Sequence, residues 1–145
     1  MSVTLDLTGN DIKVGAGVFV PAYEYVVDIQ NQVAAATYAV SHPIFVNDTL
    51  SGTYQVAAVS VTFGTTSTSG TLQVEVATGT QAVASGTNQL TGTMSLSGTA
   101  NTTVNGTIIA SPTTLTAGSR INLIFAGTVT GLLNACVNVV LKRIS

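Results

Sequence analysis

Apolar and polar residues alternate strictly in three segments of the chain. In the first of them, Leu72, Val74 and Val76 alternate with Gln73 and Glu75. A period of two is typical of a β-strand with one buried and one wet face, so Gln73 and Glu75 are expected to face water. The other two segments with this alternation are Ile121 to Phe125 and Val137 to Lys142.

Six further segments are rich in β-branched or aromatic residues and are bounded by Gly, Asn or Ser, which also predicts strands. They are Val3 to Leu7, Lys13 to Val20, Tyr23 to Ile29, Tyr54 to Phe63, Thr93 to Leu96 and Thr102 to Ile109. Many short strands in succession indicate a β-sandwich or barrel. Gln30 to Val40 fits a helix and a strand equally well, because its four alanines favour a helix while Val33 and Thr37 favour a strand.

Nine glycines are each followed directly by a threonine. Their spacing is irregular, which argues against a solenoid with a fixed repeat. We expect each glycine to provide positive φ in a turn and each β-branched threonine to start the next strand. These glycines are Gly52, Gly64, Gly70, Gly79, Gly86, Gly92, Gly98, Gly106 and Gly127.

The composition predicts a single β domain with few charged residues. The chain has 145 residues, the usual size of one domain, and its hydrophobic share of 46% excludes disorder arising from composition. Only 7% of the residues are charged, where about a quarter is typical. The formal net charge of -2, with four Lys and Arg residues, argues against a nucleic-acid partner. No apolar run approaches the length of a membrane span and no Sec-type signal is visible, so we expect synthesis in a cytoplasm and no membrane partner.

The amino-terminal third differs from the rest in its charged and aromatic residues. No charged residue occurs between Val76 and Ser119, and seven of the eight aromatic residues precede Gly64. We therefore predict an amino-terminal extension or arm over residues 1–50 and a sandwich core over residues 51–145. The alternative is that the early aromatics fill one end of the same sandwich. The candidate partner-binding residues of the arm are Phe19, Tyr23, Tyr25 and Tyr38.

Arg120 is the fifth candidate partner-binding residue. It follows the turn Ala117-Gly118-Ser119 and begins the predicted strand at Ile121. One hypothesis is an ion pair across a subunit contact. The other is a solvated arginine at a strand start, whose stem covers apolar surface.

The sequence offers no set of residues for catalysis. His42 precedes Pro43, which is typical of a turn. Asp48 is the only carboxylate near it in sequence, and Ser41 is an arbitrary choice of nucleophile among many serines. Cys136 is the only cysteine, so it forms no internal disulfide, and we expect it to be buried. One Cys and one His do not make a zinc site, and no nucleotide-binding motif is present. We predict no enzyme activity, no cofactor and no metal; a hydrolase remains the alternative if the fold places His42 beside a nucleophile and a carboxylate.

Four segments carry a resemblance to a known family. They are Gly92 to Thr102, Leu115 to Ile121, Phe125 to Thr128 and Val137 to Ile144. Together they resemble capsid cement or decoration proteins of tailed bacteriophages, small jelly-roll proteins. The step Leu115 to Ile121 is also similar to a strand entrance in trimeric jelly rolls of the C1q type, where an Asp follows the glycine and this chain has Ser119.

The resemblance implies an all-β, jelly-roll-like sandwich that is a virion structural protein. Its expected location is the outer surface of an icosahedral head, assembled in the host bacterial cytoplasm. The implied partners are the major capsid protein and further copies of the chain, as a dimer or trimer. The alternative is a fibre or receptor-binding (adhesin) β-sandwich module of a phage, since tyrosines and neutral polar loops suit glycan binding.

Overall fold

The structure is a computed structural model with twelve strands. It describes residues 3–6, 11–14, 17–19 and 23–30 as backbone strands, and residues 41–48 and 52–144 with their side chains. No helix occurs among these residues, so none of them forms a membrane-spanning helix. The strands are β1 Val3–Asp6, β2 Asp11–Val14, β3 Gly17–Phe19, β4 Tyr23–Gln30, β5 His42–Val46, β6 Tyr54–Thr62, β7 Thr71–Ala77, β8 Thr87–Asn88, β9 Met94–Ser95, β10 Thr103–Gly106, β11 Arg120–Ala126 and β12 Ala135–Arg143.

Two antiparallel sheets form a sandwich with jelly-roll strand order. One sheet has the order β10-β6-β12-β4 and the other the order β5-β11-β7-β8, with β9 also paired to β7. The pairs β4–β12, β5–β11, β6–β10 and β7–β8 are nested in sequence, so the chain is one long antiparallel ribbon that turns between β7 and β8. A ribbon rolled in this way is a jelly roll. The predicted all-β, jelly-roll-like sandwich is confirmed.

The first three strands form a sheet of their own, in the order β1-β2-β3. The segment Lys13 to Val20, predicted as one strand, contains the end of β2 and all of β3, which pair as a hairpin. The strands β4 and β5 also precede residue 50, yet they lie within the two sandwich sheets. The jelly roll thus includes part of the region predicted as an arm. The segment 31–40, predicted as helix or strand, lies outside the described residues.

The core lies between the two sheets. It consists largely of the apolar residues that alternate with polar residues in the sequence. The apolar faces of β7, β11 and β12 are buried as predicted, and β6, which pairs with β12, adds a fourth alternating strand. Cys136 lies on the other face of β12 and is half-buried, not fully buried as expected. The buried core residues of these four strands are Tyr54, Val56, Val59, Val61, Leu72, Val74, Val76, Ile121, Leu123, Phe125, Ala135, Val137, Val139 and Leu141.

The strand β5 was not predicted because it contains Pro43. His42 begins this strand and does not lie in a turn as expected. Proline has no amide hydrogen to donate, which restricts it to sheet edges and bulges. Pro43 meets both conditions: β5 is an edge strand, and the pairing with β11 shifts between Ile121 and Asn122.

The expectation for the Gly-Thr pairs is correct for only some of them. Positive φ occurs at Gly52, Gly79 and Gly127 of the nine glycines. Gly86 has another reason to lack a side chain, because a Cβ there would lie 2.5 Å from the carbonyl oxygen of Val76. The following residue, Thr87, starts β8 as predicted.

Candidate functional site

The turn of the ribbon, residues 78–86 between β7 and β8, is the candidate site; we call it the tip loop. It consists of two successive turns, closed by bonds from the amide of Gln81 to the carbonyl of Thr78 (3.1 Å) and from the amide of Ser85 to the carbonyl of Ala82 (3.1 Å). The side chain of Gln81 joins the two turns, since its Oε1 accepts from the Thr78 amide at 2.7 Å and its Nε2 donates to the Ser85 carbonyl at 3.2 Å. The loop therefore has a defined conformation although most of it is exposed.

Glu75 holds the distal half of the tip loop, the half that contains Ala84 and Gly86. Its carboxylate is 1% exposed and accepts bonds from the amides of Ala84 (2.7 Å) and Gly86 (2.9 Å). Ala84 has a positive φ of 65°, and a left-handed residue in a turn directs nearby amides toward one point, where they bind an anion. A third bond comes from Nδ2 of Asn122, at 2.7 Å. The loop amides and Asn122 thus replace the water that a carboxylate normally binds.

The burial of Glu75 corrects the prediction that this face of β7 is wet. Gln73 is 8% exposed, and its amide nitrogen donates to the carbonyls of Leu90 (3.3 Å) and Gly92 (3.1 Å). The tip loop and the segment 89–93 fold back over the outer face of β7. Both polar side chains consequently bond main-chain groups of the covering segments and are shielded from solvent.

Arg120 anchors the proximal half of the tip loop. It is the first residue of β11 and stands between Val46 of β5 and Ala77 of β7 in the sheet. Its guanidinium donates to the carbonyl of Gly79 at 3.2 Å and to the carbonyl of Gln81. Arg120 is half-buried at the strand start, and its guanidinium bonds to main-chain groups of the same chain.

A shallow depression of about 310 Å³ adjoins the tip loop on the outer face of β7 and β11. Its polar lining includes Asn88 and Thr93, and its apolar floor includes Ile124 and Ala126. The only ionisable side chain in the lining is Glu75, whose oxygens are bonded to the loop and to Asn122. Over the part of the chain that the structure describes, no cluster of His, Cys, Asp and Glu is arranged for a metal ion.

His42 and Cys136 lie away from the tip loop. The imidazole of His42 stacks on the ring of Phe125, with centroids 6.2 Å apart and an interplanar angle of 15°. Cys136 is the second residue of β12 and stands between Thr62 of β6 and Ile29 of β4. The geometry of these two residues is that of side chains packed on strands.

The end of the sandwich that carries the tip loop, which we call the tip end, also carries two exposed aliphatic side chains. Val46 is 57% exposed and is the cross-strand neighbour of Arg120, and Ile144 is 43% exposed and follows the last strand. The amide of Ile144 donates to the carbonyl of Thr53 (2.9 Å), just before β6 begins at this same end. No other large hydrophobic side chain within the described residues is exposed.

The five predicted partner-binding residues do not form one described cluster. Phe19 ends β3, and Tyr23 and Tyr25 lie in β4 opposite Lys142 and Val140 of β12. Tyr38 lies outside the described residues. By backbone register Tyr23 is at the tip end together with Arg120.

The sequence reasoning missed the tip loop. The signal that marks it is the pair of isolated charges, since Glu75 and Arg120 are the only charged residues between positions 52 and 141. Both are used to hold this loop.

Comparisons with known proteins produced no relative. No family model matches the chain, and no curated protein and no solved structure matches it. The features that bear on function are therefore the jelly-roll strand order, the tip end and the low number of charged residues between positions 52 and 141.

Proposed function

We propose that this chain is a virion structural protein, a cement or decoration protein of a tailed bacteriophage. It binds the outer surface of the icosahedral head and stabilises the head by bridging major capsid subunits. The proposal is supported by the sequence resemblance and by the jelly-roll order of the strands. The observation that carries it is the scarcity of charge between residues 52 and 141, where Glu75 and Arg120 are the only charged residues.

Between residues 52 and 141 the described surface carries one charged side chain, that of the half-buried Arg120. Glu75 is buried, and Arg120 is bonded to loop carbonyls. Hydroxyl and amide side chains occupy the exposed positions instead, for example at Thr91, Thr103 and Asn105. A protein that diffuses freely normally keeps a charged surface, whereas the centres of protein interfaces are depleted of Lys, Glu and Asp. This surface is suited to being covered by neighbouring proteins.

Cementing follows from mass action on a repeated lattice. A protein that binds only the intact shell stabilises that shell by about 2.7 kcal/mol per site when its free concentration is 100 times its dissociation constant. Contact with more than one capsid subunit raises the effective concentration for the second contact, so each contact is allowed to be weak. No catalytic group takes part in this mechanism.

The copy number of the chain in purified particles tests the proposal. Quantitative mass spectrometry against the major capsid protein is expected to give a ratio fixed by the capsid lattice. Adding the purified chain to particles stripped of it is expected to raise their melting temperature. A handful of copies per particle would favour the fibre or receptor-binding module instead, and absence from particles would contradict both.

A further inference from the structure

We infer that the shallow depression on the outer face of β7 and β11 binds a neutral saccharide. Its polar walls bond the hydroxyl groups of one sugar unit, and its apolar floor contacts the C–H face of the ring. The volume of about 310 Å³ is at the lower end of the roughly 300–1,000 Å³ of small-molecule sites, so the ligand is small or is one unit of a larger molecule. This inference does not rest on the proposed function, because it concerns a property of the free chain.

The depression follows the length of the strand β7. Thr71, Gln73 and Glu75 belong to its lining and alternate on the outer face of this strand. From the first of these residues to the third the strand rises about 13 Å. On β11, Ala126 pairs with Thr71 and Ile124 pairs with Gln73, so the side chains of both lie on the same face of the sheet. The depression is thus long enough to contact a sugar ring at several points.

Three polar side chains of the lining are available to a ligand. The hydroxyls of Thr71 and Thr93 and the side-chain amide of Asn88 make no hydrogen bond to another described residue. Thr93 and Asn88 are exposed, and Thr71 is half-buried. Hydroxyl and amide groups both donate and accept hydrogen bonds, which matches the hydroxyl groups of a sugar. A purely apolar ligand would cover these three groups without replacing their bonds to water.

The charge of the lining favours an uncharged ligand. Glu75 is the one ionisable side chain of the lining, so a phosphate or carboxylate group of a ligand would meet a negative charge and no cation. A ligand cation is disfavoured as well, because the carboxylate is 1% exposed and already accepts bonds from the amides of Ala84 and Gly86 and from Asn122. Such a cation would lose its water to reach a carboxylate whose oxygens are covered.

The rest of the lining is apolar and is held in place. Ile124 is half-buried and Ala126 is exposed, so the floor of the depression presents apolar surface. Sugar rings carry C–H groups on one face, and covering such groups and this floor together removes apolar surface from water. Next to the tip loop, Ala84 and Gly86 line the depression, and the Glu75 carboxylate holds their amides. A wall that is ordered before binding loses less conformational entropy when the ligand enters.

Titration of the free chain with single sugars tests the inference. The probes are the methyl glycosides of glucose, galactose, mannose and N-acetylglucosamine, and the readout is the amide chemical shifts of the protein in NMR. We expect at least one probe to bind in the millimolar range, since a single sugar makes few contacts. The shifted amides are expected to be those of the lining, for example Gly86 and Thr93.

Variants of the free polar groups locate the binding. Asn88→Ala and Thr93→Val each remove one of these groups and are expected to weaken binding about threefold to tenfold, the loss that one hydrogen bond accounts for. Thr99→Val is the matched control, because Thr99 is exposed and is not part of the lining. We expect unchanged binding for this control, and all three variants are expected to melt like the wild type.

The inference is wrong if none of the glycosides shifts the amides of the lining at high millimolar concentration. It is also wrong if Asn88→Ala and Thr93→Val both bind as tightly as the wild type, because the sugar then binds elsewhere. The probe for the competing ligand class is n-butylammonium. Shifts of the same amides with this probe, and none with the glycosides, would show that Glu75 recognises a cation and would overturn the saccharide assignment. All of these titrations use the free chain, so their failure leaves the proposed function to be decided by the copy number in particles.

Discussion

Replacement of Glu75 is expected to destabilise the fold and to release the tip loop. In Glu75→Ala the amides of Ala84 and Gly86 and the side-chain amide of Asn122 lose a common acceptor. In Glu75→Gln the size is preserved, and one oxygen is still able to accept from Ala84 and Asn122. The new NH₂ group then faces the amide of Gly86, so two donors oppose each other.

The magnitude follows from the three bonds, which are 2.7, 2.9 and 2.7 Å long. A hydrogen bond to a charged group contributes about 1.5–3 kcal/mol, and a buried donor left without a partner costs about 1–3 kcal/mol. The two loop amides regain water once the loop opens, whereas Asn122 is fully buried and does not. We therefore expect a loss of roughly 3 kcal/mol for Glu75→Ala and of roughly half that for Glu75→Gln.

Urea unfolding and calorimetry measure this loss, and hydrogen exchange locates it. A loss of about 3 kcal/mol corresponds to a fall in melting temperature of roughly 10 °C for a domain of this size. The amides of Ala84 and Gly86 are expected to exchange faster in both variants. The matched control is Asn88→Ala, because Asn88 is exposed and is the cross-strand neighbour of Glu75; we expect a change within about 0.5 kcal/mol. If Glu75→Gln is as stable as the wild type and both amides stay protected, the carboxylate does not anchor the loop.

Two further experiments test the packing around the sandwich. Gly86→Ala is expected to cost about 1–3 kcal/mol in urea unfolding, since its Cβ would lie 2.5 Å from the Val76 carbonyl oxygen; wild-type stability would show that the backbone there yields easily. In a double-mutant cycle of His42→Ala with Phe125→Leu, we expect a coupling of about 0.5–1.5 kcal/mol from the stacked rings. A coupling near zero would show that the stacking of the two rings does not contribute to stability.

The sequence predicted those strands whose two faces differ in polarity. β7, β11 and β12 were found because Val74, Leu123, Val139 and their alternating neighbours point into the core. β5 was missed because its proline resembles a turn signal, and only an edge position with a bulge makes Pro43 compatible with a strand. The alternation also does not reveal that the outer face of β7 is covered, since burial of Glu75 depends on a loop that folds back from positions 78–86.

The sequence pattern did not predict the structure of the tip end, for a different reason. A carboxylate in an alternating strand is ordinarily a solvated residue, so the sequence favours a wet Glu75. Its actual role depends on amides nine and eleven positions away in the chain. Arg120 was recognised as unusual because it is isolated, but its partners, the carbonyls of Gly79 and Gln81, carry no side-chain signal. The pattern of residue types along a sequence does not reveal main-chain partners of this kind.

The anchoring of the tip loop has a structural cause in the pairing of the ribbon. Among the four nested pairs of the ribbon, β7–β8 has two residue pairs, Glu75 with Asn88 and Val76 with Thr87, whereas β4–β12 has eight. The turn of the ribbon is therefore its most weakly paired part, and the two charged side chains replace the missing ladder bonds.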